Sequence, residues 1–405
     1  MTFISKSSLY GLSTVCNIGM QLIMIPILLS FISIEDYGVV GLYLGLVALF
    51  SMLLPMSSEN ALARSVFEKN KDLNQQVFET AIATIFTISS LSLVIILSIK
   101  GLLTEPLYFI FLLALITSVL QAFVNLILVQ LQMREKVVNY FFISVSQAIL
   151  ILLLTTYWLP TIGVWARYVS PIISLFVILF LYCALTNSKY VYFKPGIHGW
   201  YYIRKVGLPL APHSLMNVSS MYIDRFFLKL FNHDVLLGFY TIASQLINAV
   251  GASLSSINNA YTPWLFKKLS KDKSLNFIGL SVILAIACFL LTLFLIWVVP
   301  FIPSGKYSVV LDSLYLIPIY IFFEGVYYLI CPLLFYKKQG FSISAVTFFS
   351  AVSKVGFLLG YLIFFDPTII GVLTILIVSV AIKTLMTIIV ATKTMTQTQK
   401  KTFSA

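Results

Sequence analysis

Polar side chains that can bind a ligand recur at helical spacing inside otherwise apolar segments of this chain. One segment carries a stripe of four such residues on one helix face, three or four positions apart: His213, Asn217, Ser220 and Asp224. Their amide, hydroxyl, imidazole and carboxyl groups exchange hydrogen bonds with a ligand. The sequence carries no nucleophile elbow, metal-ligand cluster or phosphate loop beside them, so we predict binding without catalytic residues, metal or cofactor.

Three other apolar segments carry polar stripes of the same kind. Polar side chains inside a bilayer face a water-filled cavity or another helix and avoid lipid. Hydrogen bonding between helices would explain one such stripe, but four stripes on corresponding helices favour a shared hydrophilic cavity. The residues predicted to line that cavity are Asn17, Gln21, Gln121, Asn125, His213, Asn217 and Asn248.

Basic residues deep within apolar segments are costly in a bilayer and mark functional sites by default. Lys354 and Lys383 predict a cationic lumen suited to an anionic cargo. Arg225 is a third predicted cation, ranked lower because adjacent helix positions diverge and it follows an acidic neighbour. Arg167 lies nearer the outside face and extends the same positive path.

Protonatable residues along this route are predicted to couple transport to an ion gradient: Glu324, Asp224 and His213. A purely structural alternative pairs Glu324 with Lys354. Glu59 and Glu79 lie near a predicted cytoplasmic boundary, and we expect both of these carboxylates to be solvated.

The elements that must position these residues are membrane-spanning helices. Hydrophobic residues make up 60% of the 405-residue chain and charged residues 10%, and the mean hydropathy is +1.00. A helix needs about 20 apolar residues to cross a bilayer core. We predict an all-α polytopic membrane protein with twelve transmembrane helices, at 8–32, 38–60, 77–99, 105–131, 138–158, 163–186, 207–231, 235–262, 275–299, 308–335, 342–364 and 368–392.

Lysine and arginine residues fall almost entirely into every second gap between these spans. Of the 26 basic residues, 19 lie on one side and four on the other, which places both termini in the cytoplasm. The net charge of +12 therefore belongs largely to membrane-flanking loops. We predict no nucleic-acid role, since that would need a basic stripe on a soluble domain.

The chain also repeats itself at an offset of 199 residues. Asn60-Ala61 then aligns with Asn259-Ala260, and Lys69 aligns with Lys268. Six helices is an even number, so the two halves have the same orientation and form parallel repeats. We predict two six-helix bundles, 1–195 and 196–405, with cargo bound between them.

Several short motifs resemble those of bacterial polysaccharide-transport proteins. They cover the first 70 residues and 207–266, and they appear in the expected order. The resemblance implies a Wzx-type O-antigen flippase of the multidrug/oligosaccharidyl-lipid/polysaccharide (MOP) exporter superfamily, with a MATE-like fold. The motifs are Gln21-Leu22-Ile23, Pro26-Ile27-Leu28, Ile34-Glu35-Asp36-Tyr37-Gly38, Gly207-Leu208-Pro209-Leu210-Ala211-Pro212-His213, Tyr222-Ile223-Asp224-Arg225-Phe226, Gly238-Phe239-Tyr240 and Asn259-Ala260-Tyr261-Thr262-Pro263-Trp264.

The resemblance also implies a cargo, an oligosaccharide repeat unit on undecaprenyl pyrophosphate that is flipped across the bacterial inner membrane by alternating access. Partners would be a polysaccharide polymerase and a chain-length regulator. A drug or cation antiporter of the same superfamily is the nearest alternative, and it would favour an acidic, aromatic cavity. A membrane enzyme acting on lipid-linked sugars would need a large periplasmic loop, whereas the predicted outside gaps are short.

Overall fold

The computed structural model describes residues 3–66, 68, 71–186, 195–269, 290, 313–337 and 339–403, and every regular element within these ranges is helical. The predicted all-α architecture is therefore confirmed for this part of the chain. The helices are grouped in two compact units, Met1–Phe226 and Phe227–Ala405. The predicted division into 1–195 and 196–405 stays a prediction.

The first unit contains nine described helices, of which the last continues into the second unit. Sequence signals mark their ends: the Ser33 side chain accepts a hydrogen bond from the Asp36 backbone N–H at 3.1 Å and caps α2. The helices are α1 (Phe3–Phe31), α2 (Ile34–Leu53), α3 (Ser58–Ser65), α4 (Lys71–Ser98), α5 (Glu105–Met133), α6 (Val137–Ile162), α7 (Trp165–Thr186), α8 (Ile197–Val206) and α9 (Ala211–Leu230).

A sharp turn divides the second predicted span, for which the sequence indicated one helix over 38–60. The structure instead has two helices, α2 and α3, because Pro55 cannot donate the backbone hydrogen bond that a continuing helix needs. Met56 and Ser57 follow with φ angles of 45° and 59°. Positive φ is costly for residues other than glycine, so strain is stored directly ahead of α3.

A polar network holds the short helix α3 against α4 and α5. The Asn74 side chain donates to Ser65 Oγ at 2.9 Å and accepts from Gln130 and Arg134 at 3.4 and 2.9 Å. Asn74 is 7% exposed and Ser65 is 1% exposed, so these hydrogen bonds are shielded from water. A helix as short as α3 is marginal alone and depends on such tertiary contacts.

Helix α8 approaches α4 closely because it lacks a side chain at the contact. A Cβ atom added at Gly199 would lie 2.5 Å from the backbone carbonyl oxygen of Gln76 and would also overlap the Thr80 hydroxyl. A backbone carbonyl cannot move aside as a flexible side chain can. The sequence of α8 therefore requires glycine at this position.

Gly199→Ala is expected to lower the free energy of unfolding by about 1–3 kcal/mol, because overpacking forces two helices apart. The matched control is Gly11→Ala on α1, where an added Cβ meets nothing within 4 Å. Alanine there should be neutral or add roughly 0.5–1 kcal/mol of helix stability. Thermal unfolding of both purified variants measures the difference, and equal melting temperatures would contradict the packing argument.

The described part of the second unit is built on α10 (Asp234–Leu269), α11 (Leu316–Tyr336), α12 (Gly340–Phe364) and α13 (Ile369–Phe403). Helix α13 packs against both α11 and α12. The Thr384 hydroxyl donates to the Phe323 carbonyl and the Ser350 hydroxyl donates to the Ser379 carbonyl, each at 2.9 Å. The ninth predicted span, 275–299, lies outside the described residues except for residue 290, and so does the start of the tenth.

Nine helices in the described part of the chain are long and apolar enough to cross a membrane: α1, α2, α4, α5, α6, α7, α11, α12 and α13. Many of their side chains expose large apolar groups, including Tyr157, Phe176 and Phe364 at 76%, 62% and 78%. Apolar surface of this extent is expected where lipid is the solvent. The prediction of a multi-pass membrane protein is confirmed.

Candidate functional site

A polar cavity of about 300 Å³ lies inside the first unit, between α1, α5, α6 and α7. Six of its lining residues are polar: four carry side-chain amides, one a hydroxyl and one a guanidinium. Among the described residues that line it, none carries a carboxylate. The polar lining residues are Asn17, Gln21, Gln121, Ser144, Gln147 and Arg167.

Arg167 gives this cavity its positive charge. Its Nε and Nη1 atoms are buried and have no hydrogen-bond partner in the described part of the chain. The neighbouring side chains include Tyr37, Tyr43 and Tyr168, which are at most 2% exposed. A guanidinium keeps its charge and presents five donors, and each buried donor left unsatisfied costs about 1–3 kcal/mol. Arg167 therefore has donors available for an anionic ligand.

The turn between α6 and α7 places Arg167 beside the cavity. Gly163 adopts φ 59°, and its N–H bonds to the Leu159 carbonyl at 3.0 Å, which ends α6. Glycine adopts that angle without strain. Arg167 then follows within the first turn of α7, and Pro171 lacks the N–H that would bond the Arg167 carbonyl in an unbroken helix.

Hydrogen bonds connect two of the cavity amides, Gln121 and Gln147, and join them to a fifth amide, Asn125, beyond the lining. Gln147 Nε2 donates to Gln121 Oε1 at 2.7 Å, and Gln121 Nε2 donates to Asn125 Oδ1 at 2.9 Å. Asn17 Nδ2 donates to Ser144 Oγ at 2.7 Å. These bonds fix which amide groups face the cavity, because each amide has one donor end and one acceptor end.

This arrangement suits a ligand that carries both negative charge and hydroxyl groups. A guanidinium binds phosphate or carboxylate oxygens through two parallel N–H···O bonds, and amides exchange hydrogen bonds with sugar hydroxyls. Apolar side chains such as Met20, Met24 and Ile151 complete the wall, as expected for a small-molecule site with a few placed polar groups. Within the described residues, no group of histidine, cysteine or acidic side chains could hold a metal ion.

The second unit buries a separate cluster of charges. Lys383 Nζ lies 2.6 Å from Glu324 Oε2 and 4.3 Å from the ring centroid of Tyr327. Lys354 is 1% exposed. The structure thus pairs Glu324 with Lys383, whereas the structural alternative drawn from the sequence paired it with Lys354.

Arg225, the third predicted cation, is buried among contacts of the first unit, and its role in cargo binding stays a prediction. It is 1% exposed, its Nη1 donates to the Gly41 carbonyl at 2.8 Å, and its guanidinium lies 4.7 Å from the Tyr222 ring centroid. Arg225 is not among the residues that line the cavity of the first unit. It therefore ties α9 to α2, and its neighbour Asp224 is also buried, at 1% exposed.

Only some of the remaining predicted cargo-binding residues line the cavity of the first unit. Asn17, Gln21 and Gln121 line one cavity, and Asn125 joins it through Gln121. Asn217 on α9 is exposed and Asn248 on α10 is half-buried, while the His213 side chain lies outside the described residues. Cargo binding by these residues, and a cavity shared by the two halves, stay predictions.

Sequence reasoning missed part of the site. Ser144 and Gln147 lie three positions apart on α6, which is a signal for one helix face, but their segment was not recognised as a stripe. The expectation that Glu59 and Glu79 are solvated is wrong. Glu79 is 7% exposed and accepts from Gln75 at 2.9 Å, and Glu59 Oε1 is buried.

The fold is MATE-like. A multidrug resistance MATE family transporter of the MOP superfamily, solved in its inward-facing conformation, matches with a TM-score of 0.69 and 16% identity, over 96% of this chain and 96% of that chain. A MOP superfamily transporter from Pyrococcus furiosus Vc1 (DSM3638), whose reversed binding-pocket polarity is described as suggesting a different function, matches with a TM-score of 0.61 and 17% identity, over 96% and 95% of the two chains.

The family follows from the sequence itself. The profile of the polysaccharide biosynthesis protein family matches residues 3–269, and the chain belongs to this family. It is also similar to the Lsg locus protein 1 of Haemophilus influenzae (strain ATCC 51907 / DSM 11121 / KW20 / Rd), with 25% identity over 67% of this chain and 68% of that protein. The resemblance noted from the motifs is thus confirmed.

Proposed function

We propose that the protein is a flippase that moves undecaprenyl-pyrophosphate-linked O-antigen or polysaccharide repeat units from the cytoplasmic to the periplasmic leaflet. Membership of the polysaccharide biosynthesis family supports a glycan cargo, and the MATE-like fold supports alternating access. An inward ion gradient drives the cycle in this proposal. Transport that persisted after collapse of both the proton and the sodium gradients would reject that coupling.

The observation that carries the proposal is the free guanidinium of Arg167 in a cavity lined by amides and without a carboxylate among its described lining residues. A pyrophosphate diester carries two permanent negative charges, which a guanidinium binds in a bidentate manner. Repeat-unit sugars would hydrogen-bond to the amides, and the polyprenyl chain would stay in the lipid. Lys354 adds positive charge in the second unit.

The proposed location is the bacterial inner membrane, with both termini in the cytoplasm, as the distribution of lysine and arginine indicates. In that orientation cargo enters from the leaflet where lipid-linked repeat units are assembled. A polysaccharide polymerase and a chain-length regulator would act on the delivered units, and they are the proposed partners.

A drug or cation antiporter is the second candidate, because solved structures with this fold include multidrug transporters. A cationic drug would have to enter a cavity whose charged lining residue, within the described part of the chain, is an arginine. Desolvating two like charges together is unfavourable. The charge of the cavity therefore favours the anionic cargo.

Deletion of the gene is expected to make lipid-linked repeat units accumulate on the cytoplasmic face of the inner membrane, with surface polysaccharide reduced. A plasmid carrying the wild-type chain should restore both. The units are labelled with a membrane-impermeant reagent in inverted and right-side-out vesicles. If the deletion strain shows the wild-type distribution across the two leaflets, the proposed cargo is wrong.

A further inference from the structure

Glu59 is a half-buried carboxylic acid that lies outside the lining of the cavity. It lies in the first turn of α3, two positions after Ser57, whose positive φ angle ends the strained turn. Its Oε1 atom is buried and has no hydrogen-bond partner in the described part of the chain. An ionised carboxylate accepts at both oxygens, so a buried oxygen without a donor favours the protonated form.

A chain of side-chain amides joins Glu59 to the cavity. The Asn125 side chain lies close enough to Glu59 to oppose the rise of its pKa, Gln121 donates to Asn125 at 2.9 Å, and Gln147 donates to Gln121 at 2.7 Å. We call Glu59, Asn125, Gln121 and Gln147 together the amide relay. The Nε2 groups of Gln147 and Gln121 both donate along the relay in the direction of Asn125, so the Nε2 group of Gln147, which lines the cavity, is drawn away from a ligand.

Two local effects set the pKa of Glu59: burial of its side chain and the nearby Asn125 amide. Helix α3 lies outside the candidate membrane spans, and burial raises the pKa of Glu59 to about 7, with the Asn125 hydrogen bond opposing the rise. The helices packed against α3 are α4, α5 and α8. The charged groups of these helices whose side chains the structure describes, with Arg64 of α3 itself, do not add to these two effects: Asp72 and Glu79 on α4, Glu105 and Arg134 on α5, and Arg204 and Lys205 on α8.

We propose that Glu59 is a proton-binding site, and that a proton on it strengthens the binding of an anionic ligand in the Arg167 cavity through the amide relay. The inference rests on the proposed anion site and adds a second ligand to it, the proton. Proton binding and anion binding are then linked, and each raises the affinity for the other by the same factor.

The mechanism is a reversal of hydrogen-bond direction. A protonated Glu59 donates its O–H to Asn125 Oδ1, so Asn125 must turn its Nδ2 group toward Gln121. Gln121 and Gln147 then turn in the same sense, and the Nε2 group of Gln147 becomes free to donate into the cavity. The cavity gains a donor and the site loses a negative charge, and both changes favour an anion.

Positive linkage between proton binding and anion binding determines the direction in which the proton on Glu59 moves during transport. Proton and anionic cargo bind together, so the proton on Glu59 moves with the cargo rather than against it. Glu59 is thus a charge-compensating site, and coupling to an inward gradient must rest on other groups, of which Glu324 is a candidate.

The test measures binding of dimethyl pyrophosphate, a diester whose two charges do not titrate between pH 6 and pH 8, to the full-length protein in lipid nanodiscs. We expect the affinity of the wild type to fall about tenfold from pH 6 to pH 8. Calorimetry in buffers of different ionisation enthalpy should show proton uptake on binding at pH 7.5.

Three variants isolate the relay. Glu59→Gln mimics the protonated acid and should bind with the pH 6 affinity at both pH values, without proton uptake. Asn125→Leu breaks the relay and should also reduce the pH dependence. Glu79→Gln is the matched control, because Glu79 is a buried acid of the same unit that bonds to Gln75, and it should keep the wild-type pH dependence.

The outcomes separate the two proposals. Wild-type binding that is independent of pH, or a pH dependence that survives Glu59→Gln, overturns the proton site and leaves the anion site standing. A wild type that fails to bind the diester at any pH overturns the anion site, and the linkage falls with it. Loss of the pH dependence in Glu79→Gln as well would show a general effect of acid removal and would also overturn the relay.

Discussion

Arg167→Gln is expected to weaken binding of dimethyl pyrophosphate by about 2–5 kcal/mol, which is roughly 30-fold or more. The bound anion would lose its charged partner in a site shielded from water, and glutamine offers a single NH₂ group without charge. Export of lipid-linked repeat units should fall with it. Calorimetry on the purified protein and the vesicle labelling assay measure the two effects.

The same substitution is expected to raise the stability of the unliganded protein. Arg167 keeps buried donors without partners, and an unsatisfied buried group costs about 1–3 kcal/mol. A residue that lowers the stability of the unliganded protein but is required for ligand binding is typical of a binding site. The melting temperature without ligand should therefore increase while ligand-induced stabilisation disappears.

Arg64→Gln is the matched control. Arg64 lies on α3 of the same unit and is exposed, so the identical chemical change should leave binding, export and melting temperature near their wild-type values. If Arg167→Gln binds and exports like the wild type, or lowers the melting temperature of the empty protein, Arg167 is a structural residue. The proposed anion site would then be lost.

The positions of the helices could be predicted from the sequence because lipid imposes a strong and local constraint. Each span needs about 20 apolar residues with internal backbone hydrogen bonds, and this pattern is visible one segment at a time. The break between α2 and α3 was harder to see. Pro55 signals it, but the positive φ angles of Met56 and Ser57 have no signature in those residue types.

The site could be predicted only in part, for a physical reason. The stripes identified polar faces on single helices, and Asn17, Gln21 and Gln121 do line one cavity. Which helices meet is a tertiary property, so the sequence could not show that α7 brings Arg167 to these amides. The predicted depth in the membrane was also misleading. Glu59 lies near a predicted membrane boundary, yet its Oε1 atom is buried by neighbouring helices.

The second large effect concerns the buried ion pair of the second unit. Glu324→Gln alone should destabilise the protein by about 3–5 kcal/mol, because it leaves the ammonium of Lys383 buried without its carboxylate. The double variant Glu324→Gln with Lys383→Met removes both charges and should restore most of that loss. Thermal unfolding of the single and double variants gives the coupling between the two residues.

Export by the double variant then decides what the pair is for. A buried ion pair is seldom needed for stability, and ionisable groups at membrane depth are functional by default. The sequence predicted Lys383 as a cargo ligand and Glu324 as a coupling group, and both roles require the pair to open during transport. We therefore expect the double variant to be stable yet to export at least tenfold more slowly in the vesicle assay. A double variant that is stable and exports at the wild-type rate would make the pair structural, and would leave anion binding to Arg167 and Lys354.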